Sequence, residues 1–207
     1  HWAEIDAIAS HRAPADFDNT VVALERSGSL LDRIDGVFWN LCESHTSAVL
    51  QSVERTISPR LAVHRNAVLL HPGLWYNWAN WPAYNRELAG GGSRGHDAYG
   101  EFEVTASGVK HPLMQGVPEN FKLSDELYYY EADPAGTPIQ VLATAHSKSK
   151  NKDFPQVFVV NHPKARIAGI TLGHDGIAHG LIAYQQLLKN SVLWTAHKEA
   201  WITTNAK

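Results

Sequence analysis

Cysteine is nearly absent: Cys42 is the single thiol in 207 residues. That excludes an internal disulfide framework and a Cys-based zinc cluster. A lone Cys within a helical pattern reads as a small buried hydrophobe. Long apolar runs are missing too. The stretch Val157 to Val160 is among the longest and is far too short to cross a bilayer, so no membrane partner is expected. Nor is there an excess of basic charge. A net charge of -3 gives no electrostatic footprint for nucleic acid, which asks for a clustered basic face. The chain opens on His1-Trp2 with no signal-peptide pattern, and no compartment is read from it.

What is present suffices for a folded body. Hydrophobic residues make up 44% and charged residues 19%, which suits a buried core and not global disorder. Two grammars divide the chain. Up to about Arg65 the pattern is helical. Phe17-Asp18-Asn19-Thr20 offers capping side chains before Val21, Val22 and Leu24. Leu30, Leu31, Ile34, Val37, Phe38 and Leu41 then recur at amphipathic-helix spacing. A third helix is expected from Thr46, with Pro59 dividing it. No strand signal appears there.

After Leu70 short β-like runs follow: Phe102-Val104, Gln140-Thr144, Gln156-Val160 and Arg166-Leu172. The last two read as fully buried strands. A final helix is expected from about Leu181 to Trp194, carrying Tyr184, Leu187, Leu188 and Leu193. The fold class is therefore α/β: a helical N-terminal segment over residues 1–68, then a sheet domain with covering helices over 69–207.

The opening third, with Ala3-Glu4-Ile5-Asp6-Ala7-Ile8-Ala9, Phe17 to Gly28, Phe38-Trp39-Asn40-Leu41 and Pro59 to Arg65, resembles the N-terminal helical region of M3-family peptidyl-dipeptidases. Those enzymes hold zinc on a His-Glu-x-x-His helix. That motif does not occur here, so the resemblance implies no peptidase activity.

From about Leu69 to Lys198 an ordered set of short motifs resembles the ThuA family, named for trehalose utilisation. The set includes Leu70-His71-Pro72, Trp81-Pro82-Ala83-Tyr84-Asn85, Gly90-Gly91-Gly92 and His111 to Pro118. It continues with Asp125-Glu126-Leu127-Tyr128, Leu172-Gly173-His174-Asp175 and Tyr184 to Leu188. The resemblance implies a flavodoxin-like fold of the class I glutamine amidotransferase type, here lacking its opening strands. The chain then reads as a join of two fragments near Asn66 to Leu70, with uncovered sheet edges that favour self-association.

Candidate site residues come from the residues and the resemblance together. Gly173 after an apolar strand would place His174 at the carboxyl end of the sheet, where α/β ligands bind. There it could move protons near neutral pH. Asp175 either orients it or caps the following helix. Asp125-Glu126 supplies two carboxylates that can take different roles if their environments differ. Adjacent side chains point apart, so Glu126 is taken as the inward one, although the pair could equally start a helix after Ser124. A metal shared by His174 and His179 is a minor alternative, and no cofactor is otherwise expected.

By resemblance His71 sits near the amidotransferase nucleophile position and His174 near its base. No cysteine follows Cys42, so glutamine-dependent amide transfer is excluded. Trp75, Trp78 and Trp81 could stack on sugar faces or simply pack, and Tyr128 adds a phenol. The expected function is sugar-processing acid/base chemistry in bacterial carbohydrate utilisation, on a disaccharide or keto-sugar. His174, Asp175 and Glu126 would be catalytic, and His71, Trp78, Trp81, Asp125 and Tyr128 substrate-binding. The alternatives are a non-catalytic sugar- or partner-binding module and an inactive join of fragments.

Overall fold

Strands rich in β-branched and aromatic residues assemble around two near-continuous apolar runs, Asn66–Leu70 (β2) and Ile167–Ile170 (β9), which pair in parallel. The computed structural model describes residues 36–39, 66–76, 83–200 and 202. Five further strands extend this pair: Gly36–Trp39 (β1), Gly100–Ala106 (β4), Asn120–Asp125 (β5), Ile139–Ser147 (β7) and Lys152–Val160 (β8). The resulting seven-stranded sheet has the order β1-β2-β9-β8-β7-β4-β5. β1, β2 and β9 run parallel, and the pairs from β9 through β5 are antiparallel. Gly91–Gly92 (β3) and Glu131–Ala132 (β6) form a separate two-stranded ribbon.

Alternation along the central strands sends side chains to two cores. Val68, Leu70, Val157, Val159, Ala168 and Ile170 face one side. There Ala178 of the short helix α1 (Gly176–Gly180) and Ala183, Tyr184 and Leu187 of helix α2 (Ile182–Thr195) join them. Ala67, Leu69, Phe158, Val160 and Ile167 face the other, against Tyr84, Leu88 and Ala89 of the π-helix Tyr84–Ala89. With both faces covered, β2 and β9 can be apolar throughout, as the buried-strand pattern implies. Gly169 is dictated by this packing. A Cβ there would lie 2.3 Å from Cζ of the Phe158 ring on the neighbouring strand.

Several local expectations need correction. Val37 and Phe38, placed on a helix by their spacing, lie in β1. β1 pairs with β2 from Gly36↔Asn66 to Trp39↔Leu69. The remaining helical expectations of the opening third lie outside the described residues. Ser124-Asp125 does not start a helix. It ends β5, in which Phe121, Leu123 and Asp125 are buried while Asn120 and Lys122 are exposed. β8 begins before Pro155 and runs through it. Pro155 pairs opposite Thr144, where register shifts between Val141 and Thr144 break the ladder, the setting in which a strand tolerates proline. His146 sits in β7 and pairs with Asp153 at 2.6 Å. The expected final helix is α2. No helix among the described residues is long and apolar enough to cross a membrane.

Candidate functional site

Parallel neighbours β2 and β9 end side by side, and their carboxyl ends feed the two loops that carry His71 and His174. His71 follows β2 directly and adopts φ 33, the left-handed region that a side chain with a Cβ occupies only under constraint. The constraints are visible. The side chain of His71 is 4% exposed, Pro72 follows it in the short 3-10 helix His71–Leu74, and Nδ1 lies 2.6 Å from the Thr171 carbonyl oxygen. A carbonyl only accepts, so Nδ1 carries a proton, and Nε2 is turned toward Glu126 and His174.

Thr171 is itself held by Gln156 of β8. Its Oγ1 donates to Gln156 Oε1 at 2.6 Å, and Gln156 Nε2 donates to the Tyr128 carbonyl at 3.3 Å. All of these groups are buried. The tautomer and pose of His71 are thus fixed from behind.

On the other loop, Gly173 at φ 110 makes the turn after β9. A Cβ there would meet Tyr184 Oη at 2.4 Å, so only glycine fits. Asp125, fully buried at the end of β5, accepts from the backbone N–H of Gly173 at 2.7 Å and of His174 at 3.2 Å. It also accepts from Glu126 N at 2.8 Å. With three backbone N–H groups on its carboxylate, Asp125 shapes the loop. Glu126, the next residue, points the other way.

Three donor atoms then converge. Glu126 Oε2 is 3.5 Å from His71 Nε2 and 3.2 Å from His174 Nδ1, and the two ring nitrogens are 3.3 Å apart. Among the described residues this is the one group of His, Cys, Asp and Glu side chains close enough to share a cation. The hydrogen-bonded His71 ring, opposed by burial and helped by His174 and His96, holds the Glu126 carboxyl below its ordinary value. Glu126 is therefore a carboxylate at neutral pH, suited to accept a proton or a cation and not to act as an acid.

Asp175 is elsewhere. It caps helix α1, accepting from Ile177 N at 2.8 Å and Ala178 N at 3.2 Å. Its other oxygen accepts from the Tyr99 hydroxyl at 2.9 Å. The His174 ring takes its contacts from Glu126 and His71, not from Asp175. His179 does not join His174. Its Nε2 lies 3.1 Å from the Gly173 carbonyl oxygen and its ring packs on Tyr184, so the minor alternative of a His174–His179 pair is not formed, and His71 is the histidine beside His174.

Tyr128 packs on His71 with ring centroids 4.2 Å apart, and Trp75 meets Tyr128 at 5.2 Å. Trp78 and Trp81 lie outside the described residues. Two neighbours went unread in the sequence: His96, with Nδ1 3.8 Å from Glu126 Oε1, and Tyr99, whose ring edge meets His174 at 6.0 Å. The signal available was the polar-aromatic run His96-Asp97-Ala98-Tyr99 just after Gly95. Its relevance depends on an isolated bridge between His96 and Tyr128, which local pattern does not announce.

Comparisons with known proteins agree with this architecture. A ThuA-like protein from Parabacteroides merdae superposes with a TM-score of 0.61 at 22% identity, covering 78% of this chain and 70% of that one. A GMP synthase protein from Thermoplasma acidophilum gives 0.53 at 13% identity over 84% and 79%. Both likenesses show the fold, which is the glutamine amidotransferase-like α/β architecture. A dipeptidyl carboxypeptidase from Salmonella typhimurium is 42% identical over 72 residues, 35% of this chain and 11% of that enzyme. The chain thus spans about a tenth of that relative's length, in line with a peptidase resemblance confined to one segment. The sequence profile of the ThuA family, described as trehalose utilisation, matches residues 2–195. A profile that takes in nearly the whole sequence settles the membership: this chain belongs to the ThuA family.

Proposed function

We propose that the protein is an enzyme of bacterial carbohydrate catabolism, acting on a disaccharide or a keto-sugar derived from one by acid–base chemistry centred on His174. The observation that carries this reading is the meeting of His71, Glu126 and His174 within 3.5 Å at the ends of two parallel strands. Three features support it. The Glu126 carboxylate is held ionised and can take a proton from a sugar hydroxyl or from a C–H beside a carbonyl. The His174 side chain is 45% exposed, so it can exchange protons with substrate and solvent. The partly exposed Trp75 ring beside Tyr128 offers an aromatic face to the C–H face of a sugar. The family description supplies the substrate class.

The test is product analysis by NMR after incubating the chain with a panel of disaccharides and their keto derivatives. His174→Ala and Glu126→Gln should each lower kcat/KM by about 10²- to 10⁴-fold. Turnover at the wild-type rate by His174→Ala would end the reading.

A second reading is a sugar-binding module, favoured by the aromatic wall of Trp75 and Tyr128. It predicts saturable binding with no product, lost on Trp75→Ala. A third, the joining of a peptidase-like segment to a ThuA-like domain, draws support from the partial match to the carboxypeptidase. It predicts a broad thermal transition that no sugar moves.

A further inference from the structure

We infer that His71 Nε2, Glu126 Oε2 and His174 Nδ1 bind one divalent transition-metal ion, of the kind that accepts two imidazoles and a carboxylate. This rests on the same site as the catalytic reading but not on its substrate. Ligand atoms about 2.0–2.1 Å from a tetrahedral zinc ion lie roughly 3.4 Å from one another. The three separations here are 3.2, 3.3 and 3.5 Å.

Ring orientation points the same way. Nδ1 of His71 is committed to the Thr171 carbonyl, so the ring turns Nε2 toward Glu126 Oε2 and His174 Nδ1.

The surrounding contacts are those of a ligand set. A metal-bound histidine usually gives its other ring N–H to a carbonyl or carboxylate, which fixes the ring and raises its basicity. His71 does this through Thr171, and Thr171 is anchored in turn by buried Gln156. Asp125 fixes the loop carrying His174 through two backbone N–H groups. The donor set, His₂Glu with no thiolate, suits zinc and neighbouring first-row ions better than magnesium or calcium. His71 is buried while His174 is half exposed, so the cluster is closed behind and open in front. Three protein ligands with an open face is the pattern of a metal that meets substrate, where it would polarise a carbonyl or acidify a hydroxyl.

The experiment is calorimetric titration of the chelator-treated full chain with zinc chloride, repeated with cobalt chloride while visible absorption is followed. One ion per chain should bind with micromolar or tighter affinity, and cobalt should give the d–d bands of a four- or five-coordinate site. Glu126→Gln and His174→Ala should each weaken binding at least tenfold. His146→Ala, which alters a surface histidine paired with Asp153, should leave it unchanged. His71 is buried, so His71→Ala is read only after its circular dichroism matches wild type. Absence of saturable binding in the wild type, or binding indifferent to both Glu126→Gln and His174→Ala, overturns the inference. Zinc bound at these residues in a chain that turns over no sugar upholds the metal site and counts against the catalytic reading alone.

Discussion

Asp125 and Glu126 are adjacent carboxylates with opposite assignments, and the difference is one of direction along a strand end. Asp125 is fully buried and receives the N–H groups of Gly173, His174 and Glu126. Asparagine at this position keeps the shape but presents one amide N–H₂ where an acceptor is required. Either Gly173 N–H or the pair from His174 and Glu126 would then face a donor. Asp125→Asn should therefore cost about 2–4 kcal/mol in urea-unfolding free energy, because hydrogen bonds to a charged group are lost and a buried donor is left unpaired. Glu126→Gln should cost under about 1 kcal/mol while lowering kcat/KM by the roughly 10²- to 10⁴-fold expected of the proposed chemistry. Equal destabilisation by the two would mean that the loop is not held through Asp125. The sequence showed that these two side chains must diverge and that Glu126 is the better inward candidate. It could not show that Asp125 is spent on the His174 loop, since that bond spans 48 residues and rests on the packing of β5 near β9's loop.

At the scale of elements, the short helix α1 decides what Asp175 is for. Two N–H groups from the first turn of that helix bond its carboxylate, and its remaining oxygen is taken by Tyr99. A capping aspartate is worth about 1 kcal/mol. Asp175→Ala should lower stability by about that amount and leave sugar turnover within a few fold of wild type. Asp175→Ser, a competent cap, should restore most of the stability. A hundredfold fall in kcat with unchanged unfolding would instead assign Asp175 to the chemistry. Elements differed in how readily they could be read. β8, β9 and α2 announce themselves because burial on both faces, or a long periodic stripe, leaves a strong local pattern. β5 has only Phe121 and Leu123 as alternating apolar residues, too few to outweigh a Ser-Asp pair that looks like a cap. β1 carries Val37 and Phe38, whose spacing suits a helix. Its pairing with β2 is a tertiary preference that no local window contains.

Over the whole molecule, acid is the perturbation whose sign the structure fixes. Asp97 is pulled upward by burial, but the hydroxyls of Ser149, Tyr129 and Ser147 and the charge of Lys150 outweigh this and hold it below its ordinary 3.8. Glu199 is also raised by burial, yet its backbone hydrogen bond and Arg166 bring it below 4.5. Arg166 belongs to the turn before β9, and its guanidinium also donates to the Trp194 carbonyl in α2 at 2.8 Å, so this ion pair helps to fasten helix to sheet. Both groups bind protons more readily unfolded than folded. Their contribution is therefore complete above the ordinary carboxylate values and lost as pH falls through the depressed folded ones. Burial lowers the pKa of His111 and His162, so the urea midpoint should already decline slightly as pH falls through the ordinary histidine value of about 6.5 and then fall more steeply below about 4. Asp97→Asn keeps an acceptor for one or more of the hydroxyls but cannot ionise. Its deficit against wild type should be largest at neutral pH and should close as Asp97 itself becomes protonated in the wild type. A deficit that stays constant down to pH 3 would mean that the shape of the side chain, and not its charge, joins the His96–Tyr99 segment to the β7–β8 turn. The loop carrying two of the site's unread neighbours would then be held by hydrogen bonding alone, and its position over His174 would not respond to acid.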